Sequence, residues 1–176
     1  MHDQSKKLMA KFAKTIPKGI PILDIGSKDV NGTFHQFFHD NPYTGIDIEA
    51  GDGVDIVVSE YEYPFKDNQF EYIISGSTLE HVKKPWIWIK EVARILKIGG
   101  KLCIIVPYSH PYHEHPVDCF RIFPEGLRAL FQEAMLKEIE IDMYDGTYIG
   151  IHPISGEKMY SLNKDGFEDT MGIAVK

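Results

Sequence analysis

Two stretches of this 176-residue sequence combine residue types that can do chemistry. The first is Ile22-Leu23-Asp24-Ile25-Gly26-Ser27-Lys28-Asp29-Val30-Asn31-Gly32, a short apolar strand, a glycine turn and the expected entry to a helix. At the mouth of a parallel sheet such a turn offers backbone N–H groups and one carboxylate, which is what a nucleotide-like ligand needs. The turn also withholds something. A dinucleotide fingerprint starting at Gly26 requires glycine at positions 28 and 31, where Lys28 and Asn31 stand. Asp29 beside the turn would repel a pyrophosphate. The residues therefore point to a nucleoside without phosphates.

The second stretch is His110-Pro111-Tyr112-His113-Glu114-His115-Pro116-Val117-Asp118-Cys119-Phe120-Arg121. Three histidines and an acid are metal-ligand types, but the spacing is neither HExxH nor that of a zinc finger, and the prolines dictate an extended loop. No metal is expected from this pattern. Asp118 and Arg121, three apart, can instead form an ion pair that pins the loop. Histidines near neutral pKa can also take a proton from a reacting group.

Both stretches need elements to position them. Leu8, Met9, Phe12, Ala13 and Ile16 recur at helical spacing, which predicts an amphipathic helix over about 4–15, ended by Pro17, Gly19 and Pro21. Buried strands are expected over 20–25, 43–48, 54–58, 72–75 and 101–106, with a helix over 33–39 after the glycine turn. Pro85 fits the first turn of a helix whose stripe is Ile89, Val92, Ala93 and Leu96, stopped by Gly99-Gly100. Pro124 opens another, with Leu127, Leu130, Phe131 and Ala134 inward, and two late strands follow over 137–142 and 170–175. Strands alternating with helices imply a mostly parallel sheet covered on both faces. Between Asp47 and Val54 there is no room for a crossover helix, so the third strand is expected to be short or irregular.

Composition narrows the classes further. A net charge of −7 argues against a non-specific grip on nucleic acid, which needs a face rich in lysine and arginine. The two cysteines, Cys103 and Cys119, lack CxxC spacing and form neither a disulfide framework nor a zinc knuckle. No apolar run approaches the ~20 residues of a membrane span. The polar N-terminus shows no signal peptide, so a cytoplasmic location is expected. The length fits a single domain: an N-terminal helix (1–16), a cofactor-binding core (20–135) and C-terminal strands with a lid or substrate segment (136–176).

In order along the chain stand Leu23-Asp24-Ile25-Gly26, Gly45-Ile46-Asp47, Tyr63-Pro64-Phe65-Lys66-Asp67-Asn68-Gln69-Phe70-Glu71, Leu79-Glu80-His81-Val82 and Glu91-Val92-Ala93-Arg94-Ile95-Leu96-Lys97-Ile98-Gly99-Gly100. From residue 22 to 131 this pattern resembles the class I S-adenosylmethionine-dependent methyltransferases, in particular the ubiquinone- and menaquinone-biosynthesis-like family. It departs from that family at Lys28 (usually glycine), Glu71 (usually aspartate), Ile98 (usually proline) and Ser59, where an adenine-contacting aspartate often stands. The resemblance implies a Rossmann-like, doubly wound α/β fold with an antiparallel last strand.

It also implies a cofactor and a site. The cofactor is S-adenosylmethionine. Asp47 would accept hydrogen bonds from the two ribose hydroxyls, because a carboxylate offers two acceptor oxygens to a cis-diol. Asp24 would meet the methionine amino group, Gly26 and Ser27 would lie against the cofactor, and Ile48, Ser59, Glu60 and Tyr61 would surround the adenine side. Ser75 and Ser77 would flank the methionine end. Such a protein mainly binds and orients, since the methyl donor supplies the driving force. A hydroxyl acceptor would need a base, for which His81, His110, His113 and His115 are the candidates. The resulting reading is methyl transfer to a small or medium-sized acceptor, at O, N or C. A catalytically inactive binding or scaffold module, and a nicotinamide-dependent oxidoreductase, are the rival readings.

Overall fold

The computed structural model describes residues 3–114, 116–144, 147–151, 158–161 and 168–176. Its main sheet has seven strands: β1 (Ile22–Ile25), β2 (Tyr43–Asp47), β3 (Ile56–Val57), β4 (Phe70–Gly76), β5 (Leu96–Ser109), β6 (Lys137–Tyr144) and β9 (Glu168–Val175). They lie in the order β3-β2-β1-β4-β5-β9-β6. The first five pair in parallel, whereas β9 runs antiparallel between β5 and β6. The expected Rossmann-like architecture with an antiparallel last strand is therefore the observed one. β7 (Thr147–Ile151) and β8 (Lys158–Ser161) pair antiparallel in a separate two-stranded sheet inside the segment read as a lid or substrate segment.

Alternation along β5 shows how the sheet is covered. Leu102, Ile104 and Val106 face one layer, packed with Trp88, Ile89 and Val92 of α2 (Pro85–Ile95) and Leu127 and Phe131 of α3 (Pro124–Glu133). Cys103 and Ile105 face the other, packed with Leu8, Met9 and Phe12 of α1 (Asp3–Ala13) and with Phe34 and Phe38. Period-two strands thus serve two cores at once. Cys103 is buried and Cys119 exposed, both as free thiols. Among the described residues no helix is long and apolar enough to cross a membrane.

Two elements differ from expectation, and a third forms as anticipated. The helix expected over 33–39 is a single 3-10 turn, Phe34–Phe37, capped by the Thr33 hydroxyl accepting from the His35 N–H at 3.1 Å. The glycine turn consumes most of the chain between β1 and β2, and Asp40-Asn41-Pro42 must already bend back, with the Asn41 side chain bonded to the Pro17 and Ile20 carbonyls. Second, α2 ends at Ile95 rather than at Gly99-Gly100. Its last carbonyls are taken by the Asn68 and Gln69 N–H groups, and Leu96 already pairs with Phe70 at the start of β5. The glycines instead serve the register shift between Phe70 and Tyr72: Gly99 sits at φ +79°, and a side chain on Gly100 would come within 2.8 Å of the Glu71 carbonyl. Third, β3 has only two residues, paired in parallel with Ile46 and Asp47, so the short third strand anticipated from the missing crossover is what forms.

α1 covers the sheet by inserting Phe12, which is 1% exposed and packs in the second core. Phe12→Ala should therefore lower unfolding free energy by ~3–5 kcal/mol, as for other buried aromatic deletions. Urea denaturation of the two proteins checks this, and a loss within 0.5 kcal/mol (roughly that of a surface change) would show that the helix is not docked.

Candidate functional site

Everything of interest lies outside the carboxyl ends of the parallel strands, where open α/β sheets bind ligands. There a cleft of about 630 Å³ is lined by residues following β1, β2, β4 and β5. Its floor is the glycine turn. Gly26 is at φ +81°, and a Cβ there would fall 2.0 Å from the Thr78 Oγ1, so only glycine lets the chain after β1 pass beneath the chain after β4. The Ser75 and Thr78 hydroxyls both donate to the Ile25 carbonyl, at 2.9 and 3.3 Å, and tie the two strand ends together.

The turn's own N–H groups are committed within the protein. Those of Gly26 and Ser27 go to the Ile46 carbonyl, that of Lys28 to Asp47 Oδ2 at 3.2 Å, and that of Asp29 to the Asp52 carbonyl. With only a 3-10 turn following, there is also no long helix whose N-terminus could attract an anion. The unusual residues of the turn have local partners. Lys28 Nζ pairs with Glu49 at 2.7 Å across the cleft mouth, and Asp29 Oδ1 accepts from the Gly32 N–H at 2.6 Å. A pyrophosphate would find two carboxylates and no N–H cradle.

The sequence-predicted residues divide clearly. Asp24, Gly26, Ser27, Asp47, Ile48, Glu60 and Ser77 line the cleft, as do His81, His110 and His113. Ser75 is buried and spends its hydroxyl on Ile25. The Ser59 hydroxyl closes a local turn with Glu62, and Tyr61 packs against the α2-side core. His115 lies outside the described residues. Ser77 holds φ +53°, a left-handed conformation rare for residues other than glycine and found disproportionately at functional sites. Thr78, Phe34 and Glu80 also line the cleft and were not singled out by pattern. For Glu80 the signal was available: a carboxylate between Leu79 and Val82, both of which are buried.

The histidine loop is held as the ion-pair reading anticipated. Arg121 grips Asp118 through two nitrogens, at 2.6 and 2.7 Å, and donates to the His110 and Pro111 carbonyls. Asp118, with its side chain 2% exposed, also accepts from the His113 N–H, and its carboxyl lies well below the usual range, chiefly through Arg121. The loop is joined to the post-β4 segment by Cys119 and Phe120 N–H groups donating to the Glu80 carbonyl.

Two carboxyls inside the cleft have the opposite character. Asp24 is 2% exposed, and burial pushes its pKa up to about 7 against the opposing effect of the Tyr43 hydroxyl, which donates to Oδ2. Its Oδ1, and the hydroxyl of Ser27, are buried with no hydrogen-bond partner among the described residues. Glu80 is 1% exposed, and burial pushes its pKa up to about 8. Buried acceptors lacking donors at the floor of a cleft suit a ligand bearing hydrogen-bond donors or positive charge.

Comparison with known proteins agrees with this geometry. Residues 23–104 match the methyltransferase domain family. An uncharacterized protein of Methanocaldococcus jannaschii is 36% identical over 107 residues, covering 56% of this chain and 50% of that protein. A ubiquinone/menaquinone biosynthesis C-methyltransferase of Pseudomonas fluorescens is 24% identical over 163 residues, covering 92% of this chain and 60% of its own length. The chain thus spans little more than half of these curated relatives. Among solved structures, a 1,6-didemethyltoxoflavin-N1-methyltransferase of Burkholderia thailandensis, with its named compound and S-adenosylhomocysteine bound, superposes with a TM-score of 0.72. At 14% identity, over 99% of this chain and 79% of that one, the likeness is one of fold.

The elevated Asp24 pKa fixes a pH dependence. From its unfolded value near 3.8 up to about 7 the native protein holds a proton that the unfolded chain has released. Stability should therefore decline as pH rises through that window, with Glu80 adding a slope of the same sign up to about 8. Asp24→Asn should remove its part of the slope and gain on wild type between pH 5 and pH 8. Urea melts at the two pH values measure this; identical slopes in both proteins would mean Asp24 is ionised throughout.

Proposed function

We propose that the chain, whose residues 23–104 match the methyltransferase domain family, binds S-adenosylmethionine in the cleft and passes its methyl group to a small or medium-sized acceptor at O, N or C. One observation carries the reading. A single cleft joins two floor atoms that lack donors, Asp24 Oδ1 and Ser27 Oγ, with a strand-end carboxylate at Asp47 and a cluster of histidines. The donor-poor floor fits the amino group of a methionine moiety, and the turn with its committed N–H groups fits a nucleoside that carries no phosphate.

S-adenosylmethionine, when bound, supplies a methyl group on a sulfonium. The protein's residues bind, orient and move a proton. Asp47 already accepts from the Lys28 and Glu49 N–H groups, at 3.2 and 3.1 Å, which fixes both of its oxygens at the end of β2. Each oxygen keeps a second lone pair for a ribose hydroxyl. Asp24 would meet an ammonium group, whose charge favours the carboxylate. Near neutral pH, binding should therefore drive out the proton that burial retains.

On the acceptor side, His81, His110 and His113 line the cleft, and we assign the proton-taking role to His110. Burial lowers the pKa of His110, so it is neutral at pH 7 and able to act as a base. A hydroxyl or amine acceptor would have one proton to lose on methylation, and His110 would take it. Several relatives are named C-methyltransferases of ubiquinone/menaquinone biosynthesis, so a carbon acceptor stays within this reading.

Asp47→Ala should weaken S-adenosylhomocysteine binding by ~1.5–3 kcal/mol, or roughly ten- to 150-fold. Isothermal titration of the folded variant checks it, and unchanged affinity would remove Asp47 from the site. In buffers of different ionisation enthalpy, the same titration at pH 7 should report proton release in wild type and none in Asp24→Asn.

A further inference from the structure

The loop after β4 and the loop after β5 bring together three ligating groups that sequence spacing kept apart. Glu80, His81 and His113 each offer one ligand atom, and these atoms lie within 4.8 Å of one another. His81 Nε2 is 3.7 Å from Glu80 Oε1. Zinc–ligand bonds of ~2.1 Å place tetrahedral ligands about 3.4 Å apart, so this pair needs almost no adjustment and His113, within 4.8 Å, a shift of up to about 1.4 Å.

The orientation of the rings supports the same chemistry. His81 Nδ1 bonds the Val117 carbonyl, and His113 Nδ1 lies 3.1 Å from the Pro111 carbonyl and 3.4 Å from Asp118 Oδ2. Carbonyl oxygens only accept, so Nδ1 carries the proton in both neutral rings and Nε2 carries the lone pair. A backbone carbonyl or carboxylate behind Nδ1 is the usual outer shell of a metal-bound histidine. Glu80 provides the independent sign: its side chain is 1% exposed, it lines the cleft, and its Oε2 makes no hydrogen bond among the described residues. A buried carboxylate oxygen of this kind is costly unless a cation or donor meets it.

We propose that Glu80, His81 and His113 form a three-point site for a divalent transition-metal ion, open toward the cleft. Two imidazoles and one carboxylate with room for further ligands suit Zn²⁺ or Fe²⁺. The spacing of residues 110–121 alone gave no metal pattern because two ligands come from the turn after β4. The binding itself does not depend on the methyltransferase reading. If that reading holds, the ion would take up an acceptor oxygen and lower the pKa of its proton.

Full-length protein without a histidine tag, stripped with chelator, should bind one Co²⁺ per chain with intense visible bands of low coordination number, and Zn²⁺ should displace it. Glu80→Gln and His113→Ala should each weaken Zn²⁺ affinity by about 100-fold or more, since outer-shell changes alone cost 10–100-fold. His39→Ala, on a residue outside the cleft, should leave it unchanged. Circular dichroism confirms the fold of each variant. His113 sits in a half-buried loop, so its variant keeps the test valid should Glu80→Gln unfold. Absence of Co²⁺ bands, or Zn²⁺ binding untouched by the folded variants, would overturn the site. S-adenosylhomocysteine binding by the same stripped sample tests the other reading separately.

Discussion

The passage of the Gly26 turn beneath Thr78 is the constraint on which the rest of the site depends. No side chain fits between them, and the Ile25 carbonyl accepts from both Ser75 and Thr78 while the Gly26 and Ser27 N–H groups reach the Ile46 carbonyl. Three parallel strand ends are thereby fixed at one point. Asp24, Asp47 and the Glu80-His81 pair take their places as consequences of that crossing. The second wall is locked independently, by Arg121 on Asp118 and by the Glu80 carbonyl on Cys119 and Phe120. The cleft is thus defined by hydrogen-bonded strand ends and one buried ion pair, which suits a task consisting mainly of orientation.

Burial of acid groups is the other theme. Asp24 and Glu80 both sit nearly solvent-free, with one oxygen each lacking a donor among the described residues. Apolar side chains of similar size would be more stable there, because desolvated carboxyls must retain a proton or find a cation. On the two proposals made above, these carboxyls at the floor of a ligand-sized cleft would meet a cationic amino group at Asp24 and a metal ion at Glu80. Lys28, the oddest residue of the glycine turn, has a complementary explanation. Its ammonium is paired with Glu49, which also lines the cleft, so the turn's one positive charge is already neutralised locally.

Much of this was legible in the residues themselves. The apolar runs at Ile22–Ile25, Tyr43–Asp47 and Phe70–Gly76 are strands, and the short interval after Asp47 foretold a minimal third strand. Two of the sequence landmarks prove to be halves of one network: Arg94 and Glu91 bind the main chain of Tyr63 and Phe65 and the side chain of Asp67. What local pattern missed was decided by distant partners. Phe34 and Phe38 have helical spacing, yet the turns on either side leave room for one 3-10 turn. Gly99-Gly100 reads as a helix stop, but the Asn68 and Gln69 N–H groups had already ended the helix. Glu80 and His113 are far apart in sequence and meet only because β4 and β5 are neighbours in the sheet.

The account rests on the cleft holding a phosphate-free nucleoside between Asp24 and Asp47. The most direct measurement is a crystal structure of the protein grown with saturating S-adenosylhomocysteine. It should show the ribose hydroxyls within hydrogen-bond distance of the Asp47 carboxylate and the amino acid end over Asp24 and Ser27. A well-ordered cleft without the nucleoside, or the nucleoside bound elsewhere on the molecule, would contradict it.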